Sequence, residues 1–325
     1  MKIFLAGATG AVGKRLVPVL VASGHHLVAT TRSLEKAKSL RSAGAEAVVV
    51  DGLDRDAVIT AVKVARPDVI VHQMTALTSM RSLKKFDDEF ALTNRLRTEG
   101  TEYLLEAARA AGTKKLIVQS YTGWPSIREG SRVKTEDDPL DPTPPNAMSR
   151  TLDAIRRLES LVAVASDING IILRYGSFYG PGTSIAPGGE IVEAVRQRKF
   201  PIVGDGGGVW SFVHMDDVAN ATLAAIERGM PGVYNIVDDE PAEVSVWLPD
   251  LAQAVGAKPP RHVPAWLSRL VIGDAGISMM TQIRGASNAK AKQGLAWQPT
   301  YATWRDGFRR GFTPESQVLS SGRMR

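Results

Sequence analysis

Residues 2–13 read KIFLAGATGAVG, and the placing of the glycines after the apolar run decides the fold. KIFLAG is β-rich and passes straight into a glycine turn; AVGKRLVPVLVASG then takes up helical periodicity and closes at Gly24. Gly7, Gly10 and Gly13 therefore lie between a strand and a helix. Gly7 permits the tight turn, Gly10 lets the backbone approach a pyrophosphate, and Gly13 lets the helix pack closely. The helix start at Thr9, Ala11 and Val12 supplies amides and the positive end of the dipole. Three glycines alone are a weak pattern; the strand-to-helix context makes this one a dinucleotide-binding turn.

The alternation continues along the chain. HLVATTR, EAVVVD, PDVIVHQMT, KKLIVQS and NGIILRYG bring the strand-like runs to six, separated by helical stretches such as DRDAVITAVKVA and EFALTNRLRTEGTEYLLEAARAAG. Continuous apolar strands suit a sheet buried on both faces. The pattern predicts an α/β protein: a doubly wound parallel sheet covered on both faces, with a smaller second domain. From about residue 176 the texture changes to the Gly- and Pro-rich SFYGPGTSIAPGG and KFPIVGDGGGVW, loops of the kind that carry ligand-binding residues. FVHMDDVANATLAAIERG resumes strand and helix, with Asp216 or Asp217 expected as the N-cap. The dinucleotide-binding domain is expected over 1–175 plus 209–239, the substrate-binding domain over 176–208 plus 240–312, and a flexible tail over 313–325.

Composition narrows the function. The 325 residues are 44% hydrophobic and 23% charged, an ordinary globular balance with ample length for a large core. The absence of cysteine excludes disulfides and thiolate chemistry and suits a reducing cytoplasm. KIFLAG is too short for a signal peptide, and no apolar run approaches a membrane span, so a cytoplasmic protein without membrane contact is expected. The net charge of +6 is scattered, which argues against a nucleic-acid partner. The five histidines lack zinc-ligand spacing, so no metal is expected. The partner is a small molecule, with a homodimer left open.

The end of the second strand selects the cofactor. An NAD site places a carboxylate there for the ribose hydroxyls, whereas this chain reads TTRS. Arg32 offers charge-assisted contacts to a 2′-phosphate, with Thr31 and Ser33 as further donors, so NADP(H) is favoured over NAD(H).

With these motifs assembled, the chain resembles the extended short-chain dehydrogenase/reductases, which include NAD(P)-dependent epimerases and dehydratases. The resemblance covers residues 1 to about 312 and rests on GATGAVG, VVVDGLDR, VIVHQMTAL, TNRLRTEGTEYLLEAAR, TEDDPLDP, ILRYGSFYGPG, FVHMDDVANA and NAKAKQGLAWQPTYATWRDGF. It implies a Rossmann-type dinucleotide-binding domain with a small C-terminal substrate domain, and an active site in the cleft between them. It also implies that Asp51 and Gly52 flank the adenine, Met74 and Thr75 the adenosine or pyrophosphate side, and Tyr175 with Gly176 the nicotinamide.

The catalytic pattern departs from that family. Its members carry a Ser or Thr after the fifth strand and a Tyr-x-x-x-Lys on the next helix, the lysine and cofactor lowering the tyrosine pKa. Here that helix reads PPNAMSRTLDAIRRLE over 144–159. One register puts Asn146 and Arg150 in the tyrosine and lysine slots; another, two residues later, puts Met148 and Leu152 there. Neither contains a proton donor. In KKLIVQSYTGWPS an ungapped match places Ser120 at the family's first serine and Tyr121 at the second, the catalytic one. Tyr121 then presents its phenol from the opposite wall, with Ser120 or Thr122 as hydrogen-bond partner and Arg150 favouring the phenolate. The alternative is that Tyr121 only fills the vacated space.

Relatives that act on nucleotide-sugars usually place an arginine in the segment written here GDGGGVWSFVH, where Trp210 stands instead. Losing a phosphate anchor and gaining aromatic surface points to a less charged, partly apolar substrate. Trp124, Phe178 and Trp210 are the expected walls, with Thr122, Ser177 and His214 as polar contacts. Three readings follow: an NADP(H)-dependent oxidoreductase acting on a carbonyl or alcohol of a small non-nucleotide substrate, with Tyr121 donating the proton and Ser120 polarising the oxygen; a nucleotide-sugar epimerase or dehydratase; and a non-catalytic dinucleotide-sensing or scaffold protein.

Overall fold

The computed structural model describes residues 1–77 and 82–312; the tail expected over 313–325 lies outside them. The sheet strands are β1 (Lys2–Ala6), β2 (His26–Thr31), β3 (Glu46–Val49), β4 (Val69–His72), β5 (Lys115–Tyr121), β6 (Asn169–Tyr175) and β7 (Gly232–Ile236). All pair in parallel, in the order β7-β6-β5-β4-β1-β2-β3. The first strand is thus central, as a doubly wound sheet requires. The apolar runs behave as expected: Ile3 to Ala6 and Val69 to His72 are fully buried, because helices cover both faces.

The chain contributes one strand more than the six expected. GVYNI over 232–236 is short, begins on a glycine and lies at the sheet edge, where only one neighbour pairs with it.

The principal helices are α1 (Ala11–Ala22), α2 (Leu34–Ser42), α3 (Arg55–Ala65), α4 (Ala91–Ala111), α5 (Ser149–Ala163) and α6 (Met215–Arg228). Helices α1 and α6 pack with Leu5, Val71 and Leu173 on one face; α3, α4 and α5 pack with Phe4, Ile70 and Leu116 on the other. The opposed inventories follow from strand alternation, since Phe4 and Leu5 must point to opposite faces. A separate aromatic core, built on Phe212, Trp247, Trp304 and Phe308, gathers the later segments of the chain. No described helix is long and apolar enough to cross a membrane.

The helix after GDGGGVWSFVH corrects one expectation. Its N-cap is His214, whose Nδ1 accepts the amide of Asp216 at 3.2 Å. Asp217 instead accepts the amides of Thr300 and Tyr301 at 2.7 and 3.0 Å, tying α6 to the C-terminal segment.

Near this junction Asp238 is 1% exposed, and burial pushes its pKa up to about 8. Its Oδ2 and the hydroxyl of Tyr179 both lack hydrogen-bond partners among the described residues. The folded protein therefore binds the Asp238 proton more tightly than the unfolded chain does. That contribution is fully present below the unfolded carboxyl pKa and is lost as pH rises toward 8. Asp238→Asn is expected to flatten this dependence and to raise the free energy of unfolding at pH 8 by about a few kcal/mol in urea titrations. An unchanged pH profile would show that Asp238 is not the titrating group.

Candidate active site

The turn after β1 has the shape a dinucleotide needs. Gly7 adopts φ +93°, and a Cβ there would meet the Gln73 carbonyl oxygen at 2.5 Å, so β1 and the end of β4 close together only around glycine. A Cβ on Gly13 would lie 2.4 Å from the Gly7 oxygen, which fixes how tightly α1 seats against the turn. Gly10 is the N-cap of α1 with no side-chain cap, and Ala11 is exposed. The first-turn amides are thus left for an anion. Thr9 and Thr31 approach at 3.5 Å between hydroxyls.

The residues tied to the adenosine end also converge. Gly52 packs directly against Met74 and Leu96, while Asp51 and Thr75 are exposed at the rim. Asp51 Oδ1 accepts the Leu53 amide at 3.0 Å. Arg32 is exposed and makes no hydrogen bond or ion pair with a described residue, so its guanidinium is available. Ser33 has another duty: its Oγ caps α2 by accepting the Lys36 amide at 3.3 Å, and its own amide donates to Thr31 Oγ1.

Tyr175 is 1% exposed, and its hydroxyl is held by Gln73 Nε2 at 2.9 Å and Thr222 Oγ1 at 2.8 Å. Burial pushes its pKa up to about 12. The side chain belongs to the core, and only its backbone and Gly176 remain to face a nicotinamide.

Tyr121 is the phenol that opens onto a cleft. Its hydroxyl lies 3.1 Å from Ser177 Oγ, just beyond the parallel register that pairs Tyr121 with Tyr175. The cleft is small, about 30 Å³, and is lined by Tyr121, Thr122, Trp124, Ser177, Trp210 and also by Gly123, Ser211, Met279 and Ile283. Burial raises the Tyr121 pKa, opposed by the Ser177 hydrogen bond and by the positive charge of Arg97. The phenol is therefore protonated at neutral pH. Trp210 is fixed by donation from Nε1 to the Met279 carbonyl at 2.9 Å, which leaves its ring face as cleft wall.

Four expected site residues lie elsewhere. Ser120 turns from Tyr121, because successive strand residues alternate; its hydroxyl donates to Glu159 Oε1 at 2.7 Å. Glu159 in turn holds Arg174 through two bonds of 2.9 and 2.6 Å, so this serine belongs to a buried ionic cluster. Arg150 is 67% exposed and pairs with Asp87 and Asp88 at the start of α5. His214 stacks on Tyr301 at 3.7 Å between centroids, and burial lowers its pKa. Phe178 packs beside Tyr175, with ring centroids 5.7 Å apart. Neither lines the cleft.

The charge expected of Arg150 is supplied by Arg97 on α4, which the sequence reading passed over. Arg97 is 9% exposed and sits 5.5 Å from the ring centroid of Phe90. The signal was present: Thr93, Leu96, Gly100, Thr101 and Leu104 form the buried stripe of this helix, and Arg97 falls on it at helical spacing. No group of three or more potential ligands among the described residues could hold a metal ion.

A family model described as the NAD dependent epimerase/dehydratase family matches residues 3–237. The chain is 43% identical over 311 residues to a 3-diazoavenalumate denitrifying reductase of Streptomyces sp, spanning 95% of this chain and 100% of the relative. It is 29% identical over 262 residues to the 4-hydroxy-2-methyl-3-oxo-4-farnesyl-3,4-dihydroquinoline-1-oxide ketoreductase of Stigmatella aurantiaca, spanning 79% of this chain and 74% of the relative. Among solved structures, the UDP-glucose 4-epimerase of Thermotoga maritima superposes with a TM-score of 0.75 at 22% identity, covering 98% of this chain and 100% of that one. A human epimerase family protein with NADPH gives 0.74 at 17% identity, with 96% and 99% covered. At these identities the structural likeness concerns the fold.

Proposed function

Because the chain belongs to the NAD dependent epimerase/dehydratase family, and is thereby an NAD(P)-dependent oxidoreductase or epimerase, we propose that it is an NADP(H)-dependent reductase of a small, partly aromatic, non-nucleotide substrate. The observation that carries the reading is the Tyr121–Ser177 pair, 3.1 Å apart on the wall of a small aromatic cleft at the C-terminal ends of β5 and β6. Ligands of doubly wound folds bind at these strand ends. Trp124 and Trp210 in its lining suit an aromatic ring rather than a diphosphate.

The chain's residues fit a nicotinamide dinucleotide: the uncapped start of α1 and Gly7 to Val12 would hold the pyrophosphate, Gly52 and Met74 the adenine, and Arg32 a 2′-phosphate. When bound, the cofactor supplies the hydride. Tyr121 donates the proton to the substrate oxygen, and Ser177 orients the phenol for that transfer. A phenol kept protonated by burial is an acid, which favours carbonyl reduction over alcohol oxidation. Trp124 and Trp210 hold the ring and exclude water.

Cofactor choice is tested by tryptophan-fluorescence titration. NADPH is expected to bind more tightly than NADH, and Arg32→Ala to remove about 10- to 100-fold of that preference. A wild-type preference for NADH would sink the role of Arg32. The reaction is tested by following NADPH oxidation with a panel of aromatic aldehydes and ketones. Turnover of UDP-glucose instead would favour the epimerase reading, and cofactor binding without any turnover the sensing reading.

A second hydride acceptor is favoured by one observation: neither Asn146 nor Arg150 on the helix after β5 is a proton donor to the cleft, and the 43%-identical relative is named for reductive denitrification of a diazo compound. An aryl diazonium carbon that takes up a hydride loses N₂ and becomes C–H, so atoms and charge balance without a proton. In that case Tyr121→Phe leaves turnover within a few-fold of wild type and one N₂ is released per NADPH oxidised, whereas carbonyl reduction depends strongly on the phenol.

A further inference from the structure

We propose that Arg97 is an anion-binding residue of the Tyr121 site, and that the substrate carries a carboxylate which pairs with it. The proposal rests on the reading of the Tyr121 cleft as the reaction site and deepens it by naming the substrate class. Two arginines are buried to a similar degree, Arg174 at 7% and Arg97 at 9% exposure. Arg174 is matched by Glu159 through two short bonds. Arg97 has no carboxylate within ion-pair distance among the described residues; its only hydrogen bond there is from Nη1 to Asn94 Oδ1 at 3.2 Å. A guanidinium presents five N–H donors in a planar fork, and this one is almost unused.

Its neighbours do not supply the missing charge. Tyr121 is a neutral phenol, and His72 is a neutral imidazole, its Nε2 donating to the Leu96 carbonyl and its Nδ1 accepting the Met74 amide. Burial holds the His72 pKa down to about 4, so the ring adds no charge of either sign at neutral pH. An uncompensated buried cation is costly, and removing the partner of a buried pair is among the most destabilising of changes. Arg97 is therefore a half-made ion pair, with its other half on a ligand.

Two anions are candidates, a substrate carboxylate and a cofactor phosphate, and position favours the first. The pyrophosphate turn follows β1, whereas Arg97 acts on Tyr121 at the end of β5, and β4 lies between those two strands in the sheet. Arg97 instead stacks over Phe90, which stacks on Phe86, which meets the edge of Trp124 in the cleft wall. The guanidinium thus adjoins the aromatic cluster that backs the cleft, and its positive charge acts on Tyr121.

The test is calorimetric titration of cinnamate and its uncharged amide, cinnamamide, into the protein saturated with NADP⁺. Cinnamate is expected to bind about 10- to 100-fold more tightly, Arg97→Gln to abolish that difference, and Arg97→Lys to retain part of it. Without ligand, Arg97→Gln should leave the thermal midpoint unchanged or raised and NADPH affinity within about threefold, because an uncompensated charge has been removed. Equal binding of the two probes by wild type, or a preserved preference in Arg97→Gln, would overturn the proposal. So would a fall in NADPH affinity as large as the loss for cinnamate, which assigns the anion to the cofactor, or a lowered midpoint without ligand, which assigns Arg97 to structure. Carboxylate preference without turnover of any carbonyl or diazonium compound leaves this inference standing and removes the reaction reading. Turnover of neutral aldehydes without carboxylate preference does the reverse.

Discussion

Tyr121→Phe is expected to lower the rate of carbonyl reduction at saturating NADPH by about 10²- to 10⁴-fold while leaving NADPH affinity unchanged. The size follows from removing the acid that protonates the developing alkoxide where neither Asn146 nor Arg150 on the following helix is a proton donor to the cleft. The substitution keeps the ring and its packing, 6.4 Å from Trp124 between centroids, and removes only the hydroxyl that pairs with Ser177. The pH profile carries the same signature. Because burial raises the phenol's pKa, the active protonated form persists through neutral pH, and the rate falls only as pH rises through that elevated value. Steady-state kinetics of wild type and variant across pH check both points. A variant within a few-fold of wild type on every carbonyl substrate would remove Tyr121 from proton transfer.

Glu159→Ala is expected to destabilise the protein by about 3–5 kcal/mol in chemical denaturation. The substitution leaves Arg174, 7% exposed, without its bidentate partner and strips Ser120 of its acceptor. Three hydrogen bonds, two of them within the ion pair, are lost where water cannot replace them. Ser120→Ala is the companion: with its hydroxyl spent on Glu159, it should keep kcat near wild type and lose about 1 kcal/mol of stability. A large fall in kcat for Ser120→Ala would restore to that serine the oxygen-polarising role that its orientation denies it.

The parallel sheet was legible because its strands are buried on both faces and read as unbroken apolar runs, and the glycine turn because its geometry tolerates no side chain at Gly7 or Gly13. The edge strand over 232–236 is harder to read because GVYNI opens on Gly232 and interrupts its apolar run with Asn235. Assigning Ser120 and Tyr121 to one substrate oxygen conflicted with strand alternation, which places neighbouring side chains on opposite faces. Arg150 was chosen by its slot in a family pattern; the structure sets it in solvent between two aspartates. Arg97 was passed over because a charge on a long helix usually marks the solvated face, although its spacing from Thr93 and Leu104 already placed it on the buried one.

Tyr121, on the strand wall, is proposed to replace the missing helix tyrosine as proton donor to a hydride acceptor in the aromatic cleft. A structure of the protein with NADP⁺ and an aromatic alcohol tests it most directly. The alcohol oxygen is expected within about 3 Å of Tyr121 Oη and its carbinol carbon against the nicotinamide, with the ring between Trp124 and Trp210. An alcohol oxygen bound by another hydroxyl, with Tyr121 facing only protein, would contradict it.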